Sequence, residues 1–132
     1  MKRRGILNAN LSGALARLGH TDLVVVCDAG LPLPYDVAGV EIVDLAFILG
    51  EPRFETVLRG LLEEIVIDGG VAASEVVVSN EECHHLLTSL VQPLELVPHE
   101  AFKALTRRAR LVVRTGEDRP YANVGLRCGV SF

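Results

Sequence analysis

The segment Leu23-Val24-Val25-Val26-Cys27 restricts the fold more than any other part of this chain. Apolar residues follow one another there with no polar residue at alternate positions. A strand with one wet face would alternate. An unbroken β-branched run instead suits a strand covered on both faces, as in parallel sheets packed between helices. The run stops at Asp28-Ala29-Gly30-Leu31-Pro32-Leu33-Pro34, where a glycine and two prolines demand a loop. Asp28 therefore stands at the carboxyl end of a buried strand, the edge at which α/β sheets bind ligands.

The flanking pattern alternates helix and strand. Asn10 is expected to cap a helix over residues 11–18, with Gly19 as its stop. Residues 40–43 read as a strand. Pro52 suits the first turn of a helix whose apolar stripe is Phe54, Val57, Leu58, Leu61 and Leu62. Asp68-Gly69-Gly70 reads as a hairpin turn between strands over 65–67 and 71–78. Ser79 with Glu82 resembles a capping box for a helix through Leu90. Residues 94–97, 111–113 and 124–130 read as strands, and 99–109 as a helix. The expectation is one α/β domain over residues 1–132, its central sheet covered by helices and made mixed by the hairpin.

Composition narrows the function classes. A length of 132 residues is enough for one core, and a net charge of −4 shows no basic excess. Basic residues come in small groups such as Lys2-Arg3-Arg4 and Arg107-Arg108, so a nucleic-acid partner is not expected. No apolar run reaches the length of a membrane span, and residues 5–10 carry two Asn where a secretory leader would be apolar. Cys27, Cys83 and Cys128 are widely spaced and odd in number, which suits reduced thiols and a cytoplasmic location with no membrane partner. A hydrophobic share of 49% is high for so small a chain, and the chain ends on Phe132. Self-association is expected from both features.

Several residues can carry chemistry. His20, in Gly19-His20-Thr21-Asp22, can exchange a proton near neutrality, or can simply be a surface histidine at a helix end. Asp28 can orient a histidine and accept hydrogen bonds from ligand hydroxyls, or can satisfy its own turn. His99 and Lys103 lie one helical turn apart and offer donors to a polyhydroxyl ligand, although a capping His and a solvated Lys fit equally. Tyr121 and Asn123 fall on one side of an extended segment and suit hydroxyls and a ring oxygen. Cys83-His84-His85 does not read as a metal site, because adjacent helical residues diverge by roughly 100°. No metal ligand set, nucleotide loop or other cofactor motif is present.

Together the segments resemble the D-ribose pyranase family. The resemblance rests on Gly19-His20-Thr21-Asp22, on Val25 to Pro34, on Asp44-Leu45-Ala46 with Gly50, Pro52, Phe54, Val57 and Leu58, and on Arg114-Thr115-Gly116-Glu117 through Pro120-Tyr121-Ala122-Asn123 to Cys128-Gly129-Val130-Ser131-Phe132. In the stretch from Val66 to Leu96, Asp68-Gly69-Gly70 and Cys83-His84-His85 are not family landmarks, and none of the implied site residues lies there. The resemblance implies a three-layer fold and interconversion of the pyranose and furanose forms of D-ribose without metal or redox cofactor. It implies His20 as the acid/base, with Asp28, His99, Lys103, Tyr121 and Asn123 binding the sugar. It also implies ring-shaped homo-oligomers, typically decamers of two stacked pentamers, with sites between adjacent subunits. The related L-fucose mutarotases differ in the His-Thr-Asp and Asp-Ala-Gly-Leu-Pro segments. A mutarotase for another sugar and a sugar-binding regulator without turnover are the competing readings.

Overall fold

The computed structural model describes Met1–Phe132. Its elements are α1 (Ala9–Ala16), β1 (Leu23–Cys27), β2 (Glu41–Asp44), α2 (Phe54–Leu62), β3 (Ile67–Ala73), α3 (Val76–Ser79), α4 (Glu81–Leu90), β4 (Leu94–Val97), α5 (His99–Thr106), β5 (Leu111–Arg114) and β6 (Val124–Cys128). All strands join one six-stranded sheet in the order β2-β5-β1-β6-β3-β4. β1 lies between β5, which is parallel to it, and β6, which is antiparallel. β6 is also antiparallel to β3, while the β2–β5 and β3–β4 pairs are parallel. One reversed strand near the centre therefore makes the sheet mixed.

The two faces of the sheet are covered unequally. Val24 and Val26 point into the larger core, with Leu11 and Leu15 of α1, Leu58 and Leu61 of α2 and Leu87 of α4. Val25 and Cys27 point to the other face, where Leu31, Phe102 and Ala109 pack on Val71 and Val112. This gives three layers, as expected for a central strand with no wet face. The second face has one helix, α5, and the loop that starts at Leu31.

Several local expectations are corrected. Asp68-Gly69-Gly70 is not a hairpin turn; β3 runs through it, with a register shift against β6 between Ile67 and Gly69. Gly69 has a φ of +133°, and a Cβ there would stand 2.8 Å from the Pro93 carbonyl. The glycines thus serve a bulge and a close approach, the other use of glycine in a strand. Residues 76–79 form the short α3 and not a strand continuation. Asn80, not Ser79, caps α4 by accepting from the Cys83 N–H at 3.2 Å, and Glu82 instead pairs with Arg119 at 2.8 Å. Asn8, not Asn10, caps α1 by accepting from Leu11 N–H at 2.9 Å. Pro52 lies just before Arg53, the N-cap of α2, and so outside its first turn.

Phe102 is the largest fully buried side chain on the thinly covered face. Phe102→Ala is expected to cost about 3–5 kcal/mol in chemical denaturation, since α5 has no second helix to close the cavity.

Candidate functional site

The parallel strands end together at one edge of the sheet, and β6 begins there. Asp28 follows β1, Thr115 to Asn123 join β5 to β6, and His99 follows β4. These segments line an open cleft of about 740 Å³. That volume lies within the range of small-molecule sites.

Asp28 is held from several sides. Its Oδ1 accepts from the N–H groups of Gly30 at 3.0 Å and Leu31 at 2.9 Å, which closes the turn after β1. Its own N–H donates to Asn123 Oδ1 at 2.9 Å, and Asn123 Nδ2 donates to Asp28 Oδ2 at 3.1 Å. Burial pushes the Asp28 carboxyl above its ordinary value. The hydrogen bonds from Gly30, Asn123 and Leu31, and the charge of His99, offset part of that rise.

His99 opens α5, and its N–H donates to the Glu75 carboxylate at 3.0 and 3.1 Å. Its ring meets Tyr121 edge to face, with centroids 5.1 Å apart. Its buried Nδ1 has no hydrogen-bond partner. Tyr121 has a φ of +56°, a left-handed conformation that non-glycine residues rarely adopt. This kink presents the phenol to the cleft while the next residues enter β6. Lys103 is one turn along α5 from His99 but does not line the cleft; its Nζ pairs with Glu100 at 2.6 Å.

Sequence reasoning missed the support beneath these groups. Glu117 is completely buried yet charged, because Arg119 donates to it through Nε at 2.9 Å and through its backbone N–H at 3.1 Å. Arg53 and the N–H of Phe54 add bonds at 3.1 and 3.2 Å. Burial alone would raise its pKa; these donors outweigh it and hold the carboxyl at about 2. Thr115 donates from its hydroxyl to the Cys27 carbonyl at 2.8 Å, and Ala29 N–H donates to the Glu117 carbonyl at 2.9 Å. The loop after β5 is thereby tied to the loop after β1. The available signal was the dense polar run Arg114 to Asn123 placed directly after an apolar strand.

His20 is not in this cleft. It precedes β1, at the opposite edge of the sheet, with its Nε2 3.5 Å from Asp68 Oδ2 and both side chains about half exposed. Val130 and the wholly exposed Phe132 lie beside it. The length of β1, roughly 3.3 Å for each residue, separates His20 from Asp28 within one chain. Within the whole chain, no group of three or more His, Cys, Asp or Glu side chains is placed to share a metal ion.

The RbsD / FucU transport protein family model matches residues 1–131. The chain belongs to that family. D-ribose pyranase 1 of Rubrobacter xylanophilus is 61% identical over 132 residues, covering both chains completely. D-ribose pyranase of Streptomyces coelicolor is 58% identical over the same span. The structure of Bacillus subtilis RbsD complexed with D-ribose superposes with a TM-score of 0.92 at 46% identity, covering all of both chains. FucU from Bifidobacterium longum has a TM-score of 0.80 at 20% identity, covering 96% of this chain and 97% of its own, which shows a shared fold. The RbsD / FucU fold thus accommodates sequences that differ at most positions.

Glu117 gives a pH prediction. Its folded pKa is depressed from the ordinary 4.5 to about 2, so its stabilisation is complete above about 4.5 and is lost as pH falls through about 2. A depression of that size corresponds to about 3 kcal/mol. Urea denaturation across roughly pH 5 to pH 2 should show this loss in the parent chain. Glu117→Gln should be less stable at neutral pH and should show a flatter decline.

Proposed function

We propose that this protein is a D-ribose pyranase, an isomerase that interconverts the pyranose and furanose forms of D-ribose by opening and reclosing the ring. The observation that carries this reading is full-length identity of up to 61% to proteins named D-ribose pyranase, on a fold matching a ribose-bound relative. Opening a cyclic hemiacetal requires the anomeric hydroxyl to lose a proton and the ring oxygen to gain one. The aldehyde then recloses through a different hydroxyl. General acid–base catalysis of this kind contributes roughly 10²–10⁴-fold, and it needs no nucleophile or cofactor. Groups that hold the open chain in a closable pose contribute through proximity.

In this reading His20 transfers the proton, and Asp28, His99, Lys103, Tyr121 and Asn123 form the sugar-binding set. His20 lies at the opposite edge of one chain from Asp28, His99, Tyr121 and Asn123, with Lys103 one turn further along α5, so the working site forms where the His20 edge of one subunit docks on the cleft of the next. Exposed apolar side chains support such a contact at both edges. Phe47, Ile48 and Leu49 are exposed in the loop after β2, with Leu49 at the cleft, and Val130 and Phe132 are exposed beside His20. A contact between two different patches repeats around a closed ring. A decamer of two stacked pentamers is the assembly proposed. The three cysteines are unpaired and buried, which suits a reducing cytoplasm and a role in ribose catabolism there. No helix is long and apolar enough to cross a membrane.

Catalytic amounts of protein should broaden the exchanging NMR resonances of equilibrated D-ribose. Unchanged ribose lines with broadened L-fucose lines would overturn the substrate. His20→Ala and Asp28→Asn should each lose most activity. Co-refolding the two in equal amounts should restore about a quarter of the sites, those in which an intact His20 meets an intact cleft. Verified mixed assemblies without recovery would refute the shared site. Activity should also survive exhaustive dialysis against EDTA; a loss reversed by zinc or manganese would overturn the metal-free mechanism.

A further inference from the structure

Arg114 is the one charged residue of β5, at its last position. The register sets it in one row with Cys27 of β1 and Asp44 of β2, at the edge of the sheet that carries the cleft. Residues opposite each other in adjacent strands point to the same face, so Arg114 and Asp44 stand side by side. Arg114 Nη1 donates to Asp44 Oδ2 at 2.9 Å and to Oδ1 at 3.2 Å. Asp44 Oδ1 also accepts from the Ala46 N–H at 3.0 Å, which ties that carboxylate to the turn after β2. The other edge of the guanidinium reaches over the end of β1, where Nε and Nη2 donate to the Ala29 carbonyl at 3.1 and 3.0 Å. One rigid, planar group thus holds an acceptor on each side. A lysine ammonium on its flexible stem has no such fork.

We propose that Arg114 is a positioning residue, whose guanidinium clamps the Ala29 carbonyl to β2 and β5 and so fixes where the Asp28 carboxylate stands in the cleft. This rests on the pyranase reading and deepens it. The bonds from the Gly30 and Leu31 N–H groups to Asp28 Oδ1 lie within the turn after β1. They orient the carboxylate relative to the turn and would travel with it. The place of the turn on the sheet depends on bonds from outside. Asn123 supplies them at Asp28. At Ala29 the Glu117 carbonyl accepts the N–H, while Arg114 holds the carbonyl. Ala29 follows Asp28 directly, so a rotation of its peptide turns the chain on which the carboxylate sits.

Arg114 lines the cleft with its side chain 30% exposed, yet the donors that make bonds serve protein acceptors, and Asp44 balances the charge. Its contribution to the reaction is therefore transmitted through Asp28. Such contributions are sensitive to small displacements, since misplacing a group by about 1 Å costs up to about a hundredfold in rate. The fold itself depends less on the clamp. Ala29 is only half-buried, so water can replace the lost donors at its carbonyl. Losing Arg114 thus loosens the turn more than it destabilises the domain.

The test compares the assembled wild-type protein with two variants whose assembly is checked by size exclusion. Arg114→Met keeps the length of the side chain and removes every donor; Arg114→Lys keeps the charge beside Asp44 and removes the fork. Amide hydrogen exchange by mass spectrometry, without sugar, should show residues 28–34 opening about tenfold faster in Arg114→Met, with α2, Phe54–Leu62, unchanged. The rate of ribose interconversion at saturating sugar should fall about tenfold in the same variant, and Arg114→Lys should stay several-fold below the wild type. Combined with Asp28→Asn, Arg114→Met should have no further effect on ribose affinity or on the residual rate, because it acts through the Asp28 carboxylate. Additive losses with an unmoved 28–34 segment would overturn the proposal and make Arg114 a direct sugar ligand. Faster opening of α2 as well would also overturn it, leaving Arg114 a residue that stabilises the fold. If Arg114→Met fails to assemble, Arg114→Lys and Asp44→Asn decide. Wild-type rates and an unmoved 28–34 segment in both would refute the clamp, and faster opening of that segment alone would support it. Absence of ribose interconversion in the wild type would defeat the pyranase reading, while the sugar-free hydrogen exchange would still decide whether Arg114 holds the Asp28 turn.

Discussion

β1 can exist only with both of its faces covered, since Val24, Val25, Val26 and Cys27 have no exposed surface at all. Four apolar side chains pointing alternately up and down demand a packing layer in each direction. The layers they obtain are helices α1, α2 and α4 on one side, and α5 with the loop from Leu31 on the other. Such a strand also leaves its polar end in a defined place. Asp28 is the first residue after it that can meet solvent, and hydrogen bonds from Gly30, Leu31 and Asn123 hold it at the floor of the cleft.

The cleft is stiff for an electrostatic reason as well. A buried carboxylate such as Glu117 is unfavourable unless its oxygens are fully occupied, and here Arg119, Arg53 and the start of α2 occupy them. Arg119 extends the link to Glu82 of α4. The loop after β5 is thus anchored to two helices on the far side of the sheet, which leaves Tyr121 free to adopt a strained conformation that its surroundings hold in place.

The layered fold was legible because the β1 run and the α2 stripe Phe54, Val57, Leu58 and Leu61 each have one physical solution. Segments with two solutions were misread. Asp68-Gly69-Gly70 carries a hairpin signature, but in a strand the same glycines permit a bulge and the approach of Pro93, and sequence has no means of showing Pro93 beside them. Asn8 and Asn10 are equally good caps, and the choice depends on where the helix begins. At the site, the types Asp28, His99, Tyr121 and Asn123 could be named from sequence and do gather at one edge. Their division into exposed and buried members could not, because burial of Asn123 depends on a partner 95 positions away. The separation of His20 from Asp28 follows from their places at the two ends of the β1 run; that His99, Tyr121 and Asn123 share the Asp28 end is what only the strand pairing reveals.

That separation has an arithmetic consequence. If the two halves of a site face opposite ways on each chain, an isolated chain has no complete site, and two chains in contact have one between them. An open row always has one site fewer than it has chains. Only closure into a ring gives every chain a site, because the last unmatched His20 edge then meets the first unmatched cleft. The direction of a single strand would thereby make the count of working sites a property of how the chains close.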